Sequence, residues 1–476
     1  MRIEHDFLGE MELDDASLFG IQTLRGVGAS GVTGHSFGQD GMVLIRAIAM
    51  IKKAAALANL EVGGLDRAVA GAICKAADEV IAGRWNDQFP VDLITGGGGV
   101  SVHMNVNEVL AHRASAILSG LDVHPNTHVN MGQSTNDVLP SAMLLAAHEL
   151  LEEVCDAVEE LAEVSAGKEE EFRDTVKLGR TCLQDALPVT LGQNFSAWVS
   201  FLRRQKDNLK RLAADCLELP LGGTAVGTGA GSLPGFKKAV FARLKELSGL
   251  EVRAAENCFD AMQFGDIHIH ISSALRALSA GLSKMGSDLR LLSSGPKGGM
   301  GELILPAVLP GSSIMPGKIN PILPELVMQV HFLVCGNDAA VTMAVERGEL
   351  ELNVWEAVVT RCTLDSCRLL SRSIVLFARR CVAGVKADVG HCREEAEKST
   401  ALAAMIAAVF GYEAGSRVAR EALSSGRSIR EVAVDLGLLG EEAAAELLDP
   451  ARMTDGEQMA QAIAEARNRY SSGPRG

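Results

Sequence analysis

The chain has 476 residues, enough for about three domains of ~150 residues and for a large buried core. Hydrophobic residues make up 47% and aromatics only 4%, a mix led by Ala, Leu and Val that suits packed helices better than sheets. The formal charge of −15 argues against a nucleic-acid or anionic-membrane partner, so an anionic substrate would have to be held by local positive groups.

The N-terminal Met1-Arg2-Ile3-Glu4-His5-Asp6 lacks the basic-then-apolar pattern of a signal peptide, and no unbroken apolar run reaches the ~18 residues of a membrane span. A cytoplasmic location is expected. The ten cysteines include no CxxC pair, and Cys155, Cys216 and Cys335 read as small core residues. His268 and His270, two apart, would point to different helix faces. No zinc-ligand spacing emerges, and neither a metal nor a cofactor is expected.

Up to about Asp137, short Ala-rich helical patterns at 41–60 and 64–83 alternate with Gly-rich stretches. Thr95-Gly96-Gly97-Gly98-Gly99-Val100-Ser101 reads as a loop with free amide donors. It is no phosphate loop, because no Lys-Ser/Thr follows the glycines and no buried strand pattern precedes them. From about Val138 the pattern turns to long helices. Leu144, Leu151 and Val158 recur every seven residues, with Val154 and Leu161 between them. The spacing returns at Phe195, Trp198, Leu202, Leu209, Leu212 and Cys216, and is cleanest from Ile271 through Leu275, Leu278, Leu282, Met285 and Leu289 to Leu292. Such coiled-coil-like seams need other helices to cover them, and identical helices from other subunits are the economical solution.

Past about Gly390 short helices return, with Ser424-Ser425-Gly426 and Gly437 as turns and Ser428-Ile429-Arg430-Glu431 as a capping box. A helix-turn-helix reading fails here because the region is acidic. The expected division is 1–137, a central helical-bundle domain 138–390, and a small helical domain 391–476 whose tail, Ser471 to Gly476, is expected to be disordered.

Four polar stretches interrupt the helical pattern: Gly99 to Glu108, His128 to Asp137, Gly179 to Ala186, and Gly311-Ser312-Ser313-Ile314-Met315-Pro316-Gly317-Lys318-Ile319-Asn320-Pro321. All four read as loops rich in hydroxyl and amide donors. Carboxylate oxygens only accept, so a dense set of donors around one ammonium is what a dicarboxylate site requires.

The last stretch resembles the GSSxxPxKxNP signature of the aspartase/fumarase superfamily. Ser134-Thr135-Asn136-Asp137 and Gly179-Arg180-Thr181 are similar to its other two signature regions, and the resemblance covers essentially the whole chain. Arg2 to Gly9, Thr23-Leu24-Arg25, Gly336-Asn337-Asp338 and Val341-Thr342-Met343-Ala344 look more like the aspartase branch than the fumarase branch. The resemblance implies a mainly α, three-domain fold. It also implies a homotetramer with a twenty-helix core and active sites shared by three subunits.

The implied reaction is anti elimination from aspartate or a similar substituted succinate, giving fumarate and ammonia or another nitrogen leaving group. By motif position Ser312 would be the general base with Lys318 nearby. Ser134, Thr135 and Ser313 would face the carboxylate that becomes an aci-carboxylate dianion. Thr181, Lys318 and Asn320 would hold the other carboxylate. Ser101 would join the substrate-binding set, and Asn136 would contact the leaving group. Two departures stand near that group: Val100 where the branch commonly has Thr, with His103 where it has Asn, and Cys182 where it has His or Gln. Val100 offers no hydrogen bond and a thiol only a weak one, so a substituted amine or a nitro group is a further candidate. A fumarate hydratase-type C–O lyase and a catalytically inactive structural homologue are the remaining alternatives.

Overall fold

The computed structural model describes residues 1–119 and 121–470, so the expectation for Ser471 to Gly476 lies outside the described residues. The protein is mainly α-helical, as its composition implies. Five helices of 24 to 37 residues dominate it: Thr135–Glu171, Leu191–Asp215, Asp266–Leu292, Ile322–Val345 and Glu356–Arg380. The predicted seams are their buried faces. Leu151, Val154, Val158 and Leu161 are fully buried, as are Leu202, Leu209, Ile271, Leu275, Leu278 and Leu289. Burying one such side chain contributes about 1.5–3 kcal/mol, so these faces and not helix propensity hold the long helices in place.

The chain forms two compact units. The first comprises residues 1–156, 205–279 and 330–371, and the second 157–204, 280–329 and 372–476. In the first, the Ala-rich patterns become the packed helices Met42–Glu61 and Arg67–Ile81, the latter capped by Asp66, whose side chain accepts from Ala68 N. In the second, the C-terminal segment has its own core around Ile406, Val418, Ile429 and Ala444, and the capping box at Ser428 and Glu431 is formed. Among the described residues the strands come in four separate pairs, three antiparallel and one parallel.

Two of the four polar stretches are not loops. Residues 100–108 open the helix Val100–Leu118, with His103, Asn105, Asn107 and Glu108 buried. Their polarity mimics a loop, yet it serves partners inside the fold. Residues 179–186 form most of a β-hairpin, Val176–Thr181 paired with Gln184–Thr190. The helix Ile322–Val345 is long and apolar enough by length and mean hydropathy to resemble a membrane span, but it is not an unbroken apolar run. Asp338 interrupts it. That carboxylate accepts from Ser272 Oγ at 2.7 Å and lies 2.9 Å from Arg276 Nε, which ties the helix to its bundle neighbour.

Candidate active site

The first unit brings two helix N-termini together. Gly97, Gly98 and Gly99 all have positive φ (77°, 60° and 69°) and lead into the helix at Val100. A Cβ on Gly99 would stand 1.9 Å from Leu139 Cδ2, so the chain can turn there only as glycine. Ser101 follows and packs on the helix Ile21–Gly28, where a Cβ on Gly26 would meet Ser101 Cβ at 2.9 Å. Glu108, one face further in, accepts from Gly20 N, Gln22 N, Thr23 N and Thr23 Oγ1 at 2.6–3.1 Å and so caps that helix. Burial pushes the Glu108 carboxyl up, against the pull of those four donors. The capped helix carries Arg25, which makes a two-pronged contact with Asp6 at 2.9 and 3.0 Å.

The second N-terminus begins at Thr135. Ser134 N donates to Asp137 Oδ1 (2.9 Å), while Asp137 Oδ2 accepts from Gly222 N (2.8 Å) and Thr224 N (3.1 Å). One buried carboxylate thus joins the helix start to the 222–225 loop. Asn136 Nδ2 donates to Ala225 O at 2.8 Å, and among the described residues its Oδ1 has no partner. Thr135 Oγ1 lies 2.7 Å from His103 Nδ1. Behind them Lys52, fully buried, donates to Asn130 Oδ1 at 2.7 Å. Burial draws the Lys52 ammonium well below its ordinary range and pushes the Asp137 carboxyl up, each opposed by the charge of the other. Ser134, Thr135 and Asn136 stay half-buried at the end of a helix whose dipole favours an anion.

The second unit carries the remaining candidates on two loops. Thr181, Cys182 and Leu183 form the exposed tip of the hairpin. Cys182 and Leu183 have φ of 53° and 58°, the backbone of a two-residue I′ turn made here without glycine. Arg180 Nη1 donates to Glu302 Oε1 at 2.6 Å, and Lys177 Nζ lies 3.2 Å from Glu302 Oε2. The other loop is closed at its base, where Gly311 N donates to Lys318 O (2.8 Å) and Asn320 Nδ2 to Gly311 O (2.9 Å). Ser312 Oγ accepts from Ile314 N at 3.2 Å and Met315 N at 3.0 Å. Ser313 and Lys318 are exposed, and among the described residues Lys318 makes no ion pair. The loop also turns apolar residues outward, with Ile314 83% and Met315 50% exposed.

Val100, Ser101, His103, Ser134, Thr135 and Asn136 therefore stand on the first unit, and Thr181, Cys182, Ser312, Ser313, Lys318 and Asn320 on the second. Val100 is 46% exposed in the first turn of its helix, whereas His103 is buried at 1%. The supporting residues Lys52, Glu108, Asp137 and Glu302 were not singled out from the sequence. Lys52 shares its mostly apolar helix with Arg46 and the adjacent Lys53, so charge alone does not mark it out, and its burial is what distinguishes it.

A lyase family model matches residues 9–336, and a fumarase C C-terminus model matches residues 400–455. An aspartate ammonia-lyase from a Bacillus species is 42% identical over 459 residues, 95% of this chain and 97% of that one. A class II fumarate hydratase from Halobacterium salinarum is also 42% identical, over 458 residues, 95% of this chain and 97% of its own. Among solved structures, a fumarate lyase:delta crystallin from Brucella melitensis bound to cobalt has a TM-score of 0.92 at 43% identity, covering 95% of this chain and 99% of that one. Matches of this extent establish that the chain belongs to the aspartase/fumarase superfamily of lyases.

Proposed function

We propose that the protein is a C–N lyase that eliminates ammonia, or a related nitrogen group, from aspartate or an aspartate-like succinate to give fumarate. The observation that carries this reading is the pair of amide hydrogens, from Ile314 and Met315, aimed at Ser312 Oγ. A free serine hydroxyl is nearly non-acidic, and two donors on its oxygen favour the alkoxide that a base requires. Ser312 takes the proton from the carbon next to a carboxylate. The electron pair forms the double bond as the C–N bond breaks, and nitrogen leaves from the opposite face. During this step charge gathers on the neighbouring carboxylate, where Ser134, Thr135 and Ser313 supply neutral donors. A well-placed donor contributes about 3 kcal/mol in such a transition state. Thr181, Lys318 and Asn320 hold the second carboxylate, with the Lys318 ammonium as its counter-charge.

Overall identity does not choose between C–N and C–O cleavage, because aspartate ammonia-lyase and fumarate hydratase relatives match equally well. Asn136 favours nitrogen. Its Nδ2 is committed to Ala225 O, so the atom it offers is Oδ1, an acceptor suited to an amine with hydrogens to give. The Arg25–Asp6 contact orders the N-terminal segment whose residues resemble the aspartase branch.

The site is complete only in a homotetramer in which three subunits contribute to each pocket. Phe332, Leu333 and Met343 support this assembly, being 62%, 56% and 64% exposed on the helix Ile322–Val345. Apolar surface of this kind marks a contact with other protein. The charge of −15 fits an enzyme without nucleic-acid or anionic-membrane partners, and a cytoplasmic location belongs to this proposal.

The test follows the ultraviolet absorbance of fumarate with aspartate, malate, N-substituted succinates and nitrosuccinate in parallel. Product from aspartate or an N-substituted succinate is expected. Activity with malate alone would overturn the C–N reading, and no turnover of any of them would favour an inactive structural homologue.

A further inference from the structure

His103 ends in the protein interior, against the side chain of a residue given a role in the pocket. Its ring is 1% exposed, Nδ1 lies 2.7 Å from Thr135 Oγ1, and Nε2 is buried without a hydrogen-bond partner among the described residues. The nearby charge of Lys52 acts on the ring, and burial together with that charge keeps the imidazole neutral by moving its pKa well below the ordinary value. A neutral ring has one N–H and one lone pair, and the Thr135 contact accepts either arrangement.

The two arrangements differ in what they leave exposed. If Nε2 carried the hydrogen, a buried N–H would lack a partner. If Nδ1 carries it, the unpartnered atom is a lone pair, and an unmet buried acceptor is tolerated more readily than an unmet buried N–H. The threonine decides the consequence. In the first arrangement Thr135 donates inward and turns only lone pairs toward the pocket, where they repel an acceptor-only carboxylate. In the second it receives from the ring, and its own hydrogen is free.

We propose that His103 is a positioning residue of the elimination: its Nδ1–H donates to Thr135 Oγ1 and directs the threonine hydroxyl's own hydrogen to the substrate carboxylate. This rests on the dicarboxylate reading of the preceding subsection. It also gives a purpose to a histidine at a position where the sequence departs from its branch. The rest of the pair's setting is rigid. Lys52 is tied to Asn130, Asn130 Nδ2 donates to Gln133 O, and Asp137 fixes Ser134 N and the 222–224 amides. The ring orientation is therefore set from behind the loop.

The experiment compares His103→Leu, His103→Asn, Thr135→Val and the Leu/Val double variant with the wild type, on the dicarboxylate the wild type turns over. His103→Leu is expected to lower kcat by about 10²-fold, the cost of one misdirected donor, with a smaller change in KM. His103→Asn can place an amide N–H where Nδ1 stood and is expected to recover most of that loss. The double variant should be no slower than Thr135→Val alone, since His103 acts through that hydroxyl. A His103→Leu rate within threefold of wild type (~0.7 kcal/mol), or independent multiplicative effects, would overturn the proposal.

Nitrogen NMR of isotope-labelled histidine, with His103→Asn to assign the signal, reads the tautomer directly and needs neither a folded leucine variant nor turnover. A hydrogen on Nδ1 is expected. A hydrogen on Nε2 refutes the proposal even if the lyase reading stands, and a wild type inactive on every dicarboxylate refutes the lyase reading while this tautomer result remains decisive.

Discussion

Arg180 Nη1 stands 2.6 Å from Glu302 Oε1, and the glutamate has no solvent exposure. Lys177, 3.2 Å from the other oxygen, is held on the same carboxylate, and burial draws its ammonium below the ordinary range. One anion thus balances two cations at the root of the hairpin that carries Thr181 and Cys182. Glu302→Ala leaves a buried ammonium beside a part-buried guanidinium with no counter-charge and is expected to destabilise the protein by about 3 kcal/mol, read as a lowered melting temperature. The hairpin tip should loosen with it, so the surviving activity should show a raised KM for the dicarboxylate.

Glu356 is a buried carboxyl beside a cavity of about 40 Å³ lined by Met143, Met262, His268 and Val359, and its Oε2 has no hydrogen-bond partner among the described residues. Burial pushes it from the ordinary value of 4.5 up to about 7. Between these values the folded chain holds a proton that the unfolded chain has released. Stability therefore falls as pH rises through that window and is fully retained only below the lower value. Glu356→Gln removes the penalty. Its stability should match wild type near the acid end and exceed it increasingly toward pH 7, by up to about 3 kcal/mol, read as a growing difference in melting temperature. A constant difference across the window would sink this account.

The loop that holds Ser312 depends on a glycine at its base. A Cβ on Gly311 would meet Asn320 N at 2.7 Å and Lys318 O at 2.8 Å. Gly311→Ala should displace Lys318 and Asn320 together and cut kcat/KM strongly at a modest cost in stability. Ser312→Ala should lower kcat by about 10²–10⁴-fold, the range for losing a positioned base, with the melting temperature nearly unchanged. An unaltered rate in Ser312→Ala excludes the serine as base.

If the exposed face of Ile322–Val345 is a subunit contact, a charge placed there must be desolvated on assembly. Phe332→Glu or Leu333→Glu is expected to shift the protein toward smaller species in sedimentation or light scattering and to abolish turnover in those species. Full activity in a monomeric variant would show that one chain holds a complete site.

Much of the helical architecture was legible because seams are local. A period near 3.5 residues appears in any short window, and Leu144, Leu151 and Val158, or Ile271 through Leu289, need no knowledge of what covers them. The capping box at Ser428 and Glu431 is local as well, closed over three residues.

What the sequence by itself determined is thus the long helices, the turn at Gly311 to Pro321 and the donor-rich motifs that mark the family. Tertiary structure decided which polar stretches are loops and what their side chains do. Residues 100–108 are polar because Glu108 caps a helix begun 87 residues earlier and His103 meets Thr135, 32 residues on. The 179–186 hairpin is anchored by Glu302, 122 residues beyond Arg180. Partners at such separations leave no periodic trace, because a buried polar group is satisfied in space and its sequence neighbours carry no record of the match.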